Sequence, residues 1–425
     1  MVNGSFGFPV AKDRTLALGE VHARPYPLID SPRVVLQLAF MTDGGASVDN
    51  AVLAELARAR GVAAPQADAR HYVMNWGTGS LRWERHTEFS TYLYEGPVPA
   101  RFGGEIVDHP FGDGFSPPGS LISGVRLEVR KWADDAEDMV ATFDPASLCF
   151  SELEDGAAAA VTDFRQDKDG LTRILLLDKG LSAARTGMIA QRLIEIETYR
   201  TLAMLGLPLA NSLSPQMRRI EDGLTVVTQR MRQDAKSESD TMLGDITALA
   251  AELEAGAAAS LYRFGASRAY DSIVQERIAS LNEKAVAGYG TWGGFLQRRL
   301  APAMRTCRSI EERQANLSRK LARATALLRS WVDLQLEQQN SELLQSMNRR
   351  AKLQLRLQQT VEGLSVAAVS YYVVGLVGYV AKAARDSGLP VNPSLATGVS
   401  VPIVVLVIWL LVRRIRKRHK DADAR

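Results

Sequence analysis

The sequence predicts an α+β fold: an N-terminal, largely antiparallel sheet with helices, then a long helical, coiled-coil stalk and a C-terminal two-helix transmembrane hairpin. Three observations predict it. Short β-branched and apolar runs alternate with turn signals over residues 1–180. Apolar residues at helical and heptad spacing, with few breakers, take over across 181–363. Two uncharged apolar runs then close the chain, Leu364–Ala381 and Leu395–Val412.

In chain order, "RVVLQLAFM" (Arg33–Met41) is β-branched and apolar, a buried strand. "SVDNAVLAELARARG" (Ser47–Gly61) is a helix, with Ser47 as N-cap, a stripe of Val52, Leu53 and Leu56, and Gly61 as the stop. His71–Gly96 reads as a strand, a Gly-Thr-Gly turn and one long returning strand. Leu121–Lys131, Leu148–Glu154, Ala158–Arg165 and Leu171–Leu177 are further strands, the last two joined by the turn signal "QDKDG". Neighbouring hairpins imply an antiparallel sheet.

Beyond residue 180 the pattern is helical. "SAARTGMIAQRLIEIETYRTLAML" carries Met188, Ile189, Leu193, Ile196, Leu202 and Leu205 near helical period, with Pro208 as its end. A second helical stretch runs from Pro215 to Phe264, interrupted near Ala235–Asp240, and a third starts at Phe295. In the third, Leu317, Leu321, Ala324, Leu328 and Trp331 follow a four-three spacing, as do Leu336, Asn340, Leu343 and Met347. That is a coiled-coil or bundle seam, and an Asn at a seam position sets register or strand number. No proline lies between Ala303 and Leu389, so this helix is expected to run unbroken into the first apolar run.

Each apolar run has about the length needed to cross the hydrocarbon core. Residues 364–381 and 395–412 are therefore expected to form a transmembrane hairpin, with 413–425 as a basic tail. Arg349, Arg350, Lys352 and Arg356 precede the first run, and Arg413, Arg414, Arg416, Lys417 and Arg418 follow the second. The connecting loop carries only Lys382 and Arg385, partly offset by Asp386. Positive charge marks the cytoplasmic side, so both termini are expected there, in a multi-pass membrane protein. The expected partners are the bilayer, anionic lipids at the tail, and further copies of the chain.

Composition narrows the rest. A net charge of +3 over 425 residues gives no global attraction to nucleic acid, so none is expected as partner. Cys149 and Cys307 stand in no zinc-ligand spacing, so neither a metal nor a disulfide framework is expected, and a reducing compartment is. The first fifteen residues lack the basic start and apolar centre of a cleavable signal. P-loop, GxGxxG, HExxH and GxSxG patterns are missing. No catalytic residue and no cofactor is predicted, and the protein is read as a non-enzyme.

One stretch concentrates polar groups near the N-terminus. In "GEVHARPYP" (Gly19–Pro27) the two prolines force Arg24 and Tyr26 into extended conformations. In "RWERHTEF", strand alternation puts Arg82, Glu84, His86 and Glu88 on one face and Leu81, Trp83, Arg85, Thr87 and Phe89 on the other. If the N-terminal segment lies across the polar face, His22, Arg24, Arg82 and His86 make an anion site for carboxylate or phosphate. Glu20, Glu84 and Glu88 would balance the charge. The competing reading is structural: ion pairs pinning the N-terminal arm to the sheet. Glu197 and Arg200, three apart on a helix, read as a stabilising pair.

Several phrases carry a resemblance: "EVHARP" (Glu20–Pro25), "RWERHTEFSTY" (Arg82–Tyr92), "QRLIEIETYR" (Gln191–Arg200), "LAPAMRTC" (Leu300–Cys307) and "LQLRLQQTVEGLSVAAVSYY" (Leu353–Tyr372). They resemble an uncharacterised bacterial membrane-anchored family, domain of unknown function 3422. The resemblance implies two C-terminal spans and no established activity. The order of segments also resembles the CorA-type magnesium transporters in architecture. Those are homopentamers with the first span lining a pore and Gly-Met-Asn after it. Here that place reads "GYVAKAARDSG", without the tripeptide. The architecture would make Ser365, Ser370 and Gly375 pore-facing. Alternatively, these and Ala367, Ala368 and Gly378 let membrane helices pack closely. Two functions are thus expected: a self-associating CorA-like channel or transporter, or a membrane-anchored sensor or scaffold whose α+β domain binds an anionic ligand or protein partner.

Overall fold

The computed structural model describes residues 11, 14, 18, 26–42, 44–133, 135–233, 239–387, 390 and 392–422, with 415–422 as backbone alone. The chain divides into two units, residues 1–234 with 240–326, and 327–425 with 235–239.

The first unit is built on one sheet of nine strands among the described residues. These are β1 (Arg33–Met41), β2 (His71–Trp76), β3 (Gly79–Arg85), β4 (Phe89–Gly96), β5 (Leu121–Lys131), β6 (Cys149–Leu153), β7 (Ala158–Gln166), β8 (Thr172–Asp178) and β9 (Lys284–Ala285). Their order is β2-β3-β4-β1-β5-β8-β7-β6-β9, and only β5 with β8 is parallel. The expected α+β class and largely antiparallel sheet are therefore present. The helical half contributes the edge strand β9, so the sheet is not confined to the first 180 residues.

The sheet's two faces follow from strand alternation. On β1, Val34, Leu36 and Phe40 join Leu81, Trp83, Tyr92 and Tyr94 in a buried cluster under helix α1 (Ala46–Ala59). Helix α2 (Ala136–Val140) covers a second cluster on β7 and β8, including Val161, Leu175 and Leu177. On the opposite face, Ala39 packs with Phe89 and with Leu202 of helix α3 (Ala183–Met204).

Three local expectations need correction. Gly45, with φ of 74°, rather than Ser47, precedes the first turn of α1, and no side chain caps it. Asp49 sits in that first turn instead, where a negative charge suits the helix dipole. Pro208 does not end a helix. It lies in the first turn of α4 (Gly206–Gln233), where its missing N–H removes no helical bond, and Pro215 falls inside the same helix. The long returning strand is in fact two strands, β3 and β4, joined at His86–Glu88, with His86 N–H donating to the Phe89 carbonyl at 2.8 Å.

Helices α4, α5 (Ser239–Leu281) and the first third of α6 (Trp292–Asp386) pair through polar links. Arg219 meets Glu252 at 2.9 Å, Arg313 meets Glu221 at 2.8 Å, and Ser260 exchanges hydrogen bonds with Gln314. Their inner stripes are heptad-like: Leu213, Met217, Ile220, Leu224 and Val227 on α4, and Cys307, Ile310, Gln314, Leu317, Leu321 and Ala324 on α6, all buried. Leu317, Leu321 and Ala324 thus bury as their spacing predicts, and so does Leu328, while Trp331 stays 45% exposed.

In the second unit, the apolar runs lie inside longer helices, α6 through Asp386 and α7 (Pro393–Ala422). Both are long and apolar enough to cross a membrane. They approach closely at Gly378, where an added Cβ would lie 3.3 Å from Thr397 Oγ1.

Candidate functional site

β3 shows how one strand serves two purposes. Leu81 and Trp83 turn into the α1 cluster, while Arg82 and Glu84 turn to the other face. Alternation breaks at the two-residue turn Thr87–Glu88, as a tight hairpin requires. The turn brings Phe89 to the same side as Arg82, contrary to the continuous-strand reading. His86 stacks on it at 4.2 Å between ring centroids.

The turn also removes Glu88 from the polar set. Its carboxylate takes two bonds from Arg263, at 2.6 and 3.2 Å, and one from the Tyr270 hydroxyl at 2.7 Å. Burial and then Glu88 hold the Tyr270 hydroxyl well above its ordinary pKa. Glu88 therefore ties the hairpin tip to α5.

What remains on this face is a cleft of about 380 Å³. The sheet supplies Val35, Gln37, Arg82, Glu84, His86, Phe89, Thr91 and Leu93. Helix α3 supplies Ala190, Gln191, Ile194, Glu195, Thr198 and Tyr199, and α5 supplies Arg277. Tyr26, Pro27 and Ile29 close one side. That strap is held by Ile29 N–H on the Ala183 carbonyl at 3.1 Å and by its passage over Gly187. A Cβ on Gly187 would stand 1.7 Å from the Pro27 carbonyl oxygen, so only glycine admits the strap there.

Polar groups inside the cleft are braced. Gln37 donates to Thr198 Oγ1 at 2.9 Å, and Gln191 donates to Glu195 at 2.9 Å. The Gln191 side-chain oxygen is buried without a hydrogen-bond partner. Arg277 pairs with Glu195, and although burial works against its charge, that carboxylate keeps its pKa above the usual value. Beside the cleft, burial raises the Glu95 carboxyl, with Arg33 and then Arg82 opposing it.

Of the sequence-predicted ligand residues, Arg82 and His86 both line the cleft. His22 and Arg24, with Glu20, lie outside the described residues. Tyr26 and Pro27, which follow them in the chain, form the cleft's strap. Glu197 goes elsewhere: it accepts from Thr172 at 2.8 Å and pairs with Arg200, as the helix spacing predicts. Sequence reasoning missed Gln37, Gln191, Thr198, Tyr199 and Arg277. Gln191, Glu195 and Thr198 recur at one helical face of α3, and that periodicity was the available signal. Arg277 gave none.

The membrane candidates separate. Ser370 is buried in a groove of about 390 Å³ lined by Val366, Ala367, Val374, Val401 and Val405, and its hydroxyl has no partner. Ser365 and Gly375 are exposed. At about 100° per residue Ser365 and Gly375 lie about 80° apart around the helix, and each lies about 140° from Ser370.

Among the described residues no three His, Cys, Asp or Glu side chains converge as a metal site. Both cysteines are buried, and burial pushes the Cys149 thiol up to about 12. Such a thiol is a poor nucleophile at neutral pH.

The sequence from residue 10 to 419 matches the family described as "Protein of unknown function (DUF3422)". The chain belongs to this family. A search of curated proteins returns no match. The DUF3422 match spans the cleft residues, the helical bundle and both apolar helices together.

Proposed function

We propose that this DUF3422 protein is a membrane-anchored binding protein, a sensor or scaffold, whose sheet-face cleft takes a small ligand bearing a carboxylate or phosphate. One observation carries the reading. Arg82, His86 and Arg277 converge on a cleft of about 380 Å³, where the unpartnered Gln191 oxygen is placed to accept from a donor elsewhere on the ligand. Guanidinium forks match planar or tetrahedral oxyanions. Ile29 on the strap, Val35 on the sheet and Ile194 on α3 supply apolar lining, the usual company of a few convergent polar groups in a ligand pocket. Glu84 and Glu195 favour a ligand that also carries donors such as hydroxyl or amino groups. Arg24 and His22, a few residues before the strap, are proposed to complete the site.

The anchor is proposed to be the α6–α7 hairpin, two passes of an inner membrane with both termini cytoplasmic. Flanking Lys and Arg on the outer ends of the two apolar runs support that orientation. Arg413 stacks on Trp409 at 5.1 Å, an arrangement suited to a headgroup boundary. The channel reading draws on segment order alone, whereas the cleft is defined by named residues, so the cleft takes precedence.

The test is a thermal-shift panel of small mono- and dicarboxylates, hydroxy acids and phosphate monoesters against the full chain in detergent. The expected result is that at least one class raises Tm for the wild type and not for Arg82→Ala. Equal shifts in both proteins, or no shift across the panel, would overturn the proposal.

A further inference from the structure

Helix α6 carries two heptad stripes, and only one is covered. The second begins at Leu336, inside the second unit. Placing Asn340 at position a gives Met347, Gln354 and Val361 at the later a positions, and Leu336, Leu343, Arg350, Leu357 and Leu364 at d. Leu343, Met347 and Leu357 are 59%, 58% and 67% exposed, so among the described residues nothing covers them.

The charge pattern supports the same register. Over 336–364 the charged residues are Glu337, Glu342, Arg349, Arg350, Lys352, Arg356 and Glu362, with Glu337 at a flanking e position and Glu362 at b. In this register Glu342, Arg349 and Arg356 fall at c and Lys352 at f, both on the outer side. Leu344, Ala351 and Leu353 fall at the flanking e and g positions and widen the apolar face. Arg350 is the single charge on the seam, and its aliphatic stem lets the guanidinium reach the rim.

We propose that residues 336–364 form a parallel, in-register, two-stranded coiled coil with a second copy of this chain. Three arguments select that occupant. Leu at three of the later d positions, with Asn340 and Gln354 at a, favours few strands in register, because each seam amide finds its own copy across the interface. The seam leads directly into the first apolar run, so copies sharing one bilayer topology present it in the same direction and at the same height. This second argument rests on the membrane reading above. Finally, an amphipathic helix gains most of its stability from packing its apolar face, and here the seam runs about 42 Å without a partner.

The experiment pairs mass with cross-linking. Native mass spectrometry of the full chain released from detergent is expected to give two chains. Leu343→Asp/Met347→Asp is expected to give one, with unchanged far-UV circular dichroism, whereas Gln345→Asp on the outer side stays dimeric. In isolated membranes under mild oxidation, Leu343→Cys is expected to form at least tenfold more disulfide dimer than Gln345→Cys. A monomeric wild type, a five-fold ring, a dimer that survives the double substitution, or equal cross-linking at both positions would each overturn the proposal. Recovery of the chain outside the membrane fraction would sink the membrane reading alone, while the mass still decides the coil.

Discussion

The two faces of the sheet use the same kinds of residue to opposite ends. On the α1 side most polar groups pair within the core, although Asp49 Oδ2 and Trp76 Nε1 are buried there without a partner. Asp49 accepts from Ser90 at 2.7 Å and Tyr92 at 2.8 Å, with the Trp83 ring nitrogen at 3.4 Å. Glu128 is clamped by Arg126 and Arg130, both at 2.7 Å, while those arginines also hold the carbonyls of Gly104 and Pro99. On the α3 side Arg82, His86 and Gln191 have partners too, but they also border an opening. Burial without an opening gives structure. The same chemistry beside a cavity of ligand size gives a candidate site.

Substitutions should divide accordingly. The largest effect is expected at Glu128. Glu128→Ala leaves the buried Arg126 and the half-buried Arg130 without their carboxylate and unpins the loop carrying Pro99 and Gly104. The expected loss is about 3–5 kcal/mol. Chemical unfolding of the full chain in detergent reads it directly, and a loss under about 1 kcal/mol would break the distinction between the faces.

Asp178 tests the same idea through pH. Burial raises its carboxyl, but Lys131 at 2.5 Å and the amides of Leu181 and Gly180, each at 2.7 Å, outweigh that and hold it below the usual range. A depressed folded-state pKa contributes stability above the unfolded value of about 3.9, lost as pH falls through the folded value. Asp178→Asn should therefore cost about 1–3 kcal/mol at pH 7. The gap between wild type and variant should stay flat down to about pH 5 and close below about pH 4. A gap independent of pH to the acid limit would refute the assignment.

Gly187→Ala acts on the cleft's wall rather than its lining. Backbone stands on both sides of the clash, so the Tyr26–Ile29 strap must move. Overpacking of this kind costs about 1–3 kcal/mol. Any ligand-induced Tm shift should fall as well, although position 187 does not line the cleft. Retention of the full shift would show that the strap does not shape the site.

How much of this was legible follows from range of interaction. Local signals worked: the Gly77–Thr78 turn, the β7–β8 hairpin and the Glu197–Arg200 pair each depend on residues a few positions apart. The β3–β4 break was missed because "RHTEF" has no glycine or proline, and the turn is held by distant Arg263 and Tyr270. Arg82 and His86 were legible as a polar strand face. Arg277 was not, since α5 reaches the cleft by tertiary packing that no spacing encodes. The two stripes of α6 look alike in sequence, yet only the structure shows that α4 and α5 share the buried stripe's polar links.

The smallest effect on stability, and the sharpest on function, is expected at Arg82. It is half-buried at the cleft margin, where it helps oppose the burial that raises the Glu95 carboxyl. Removing it should leave Glu95 titrating higher still, a change visible by NMR or by a shifted acid limb of stability. Losing the contacts it makes there should cost about 1 kcal/mol. Against that small loss, Arg82→Ala should abolish the ligand-induced Tm shift, while Arg82→Lys, which keeps the charge and loses the fork, should retain only part of it. If Arg82→Ala instead unfolds the domain as Glu128→Ala should, the two faces are alike. The polar row on β3 would then be an ion-pair clasp for the N-terminal arm rather than the lining of a site.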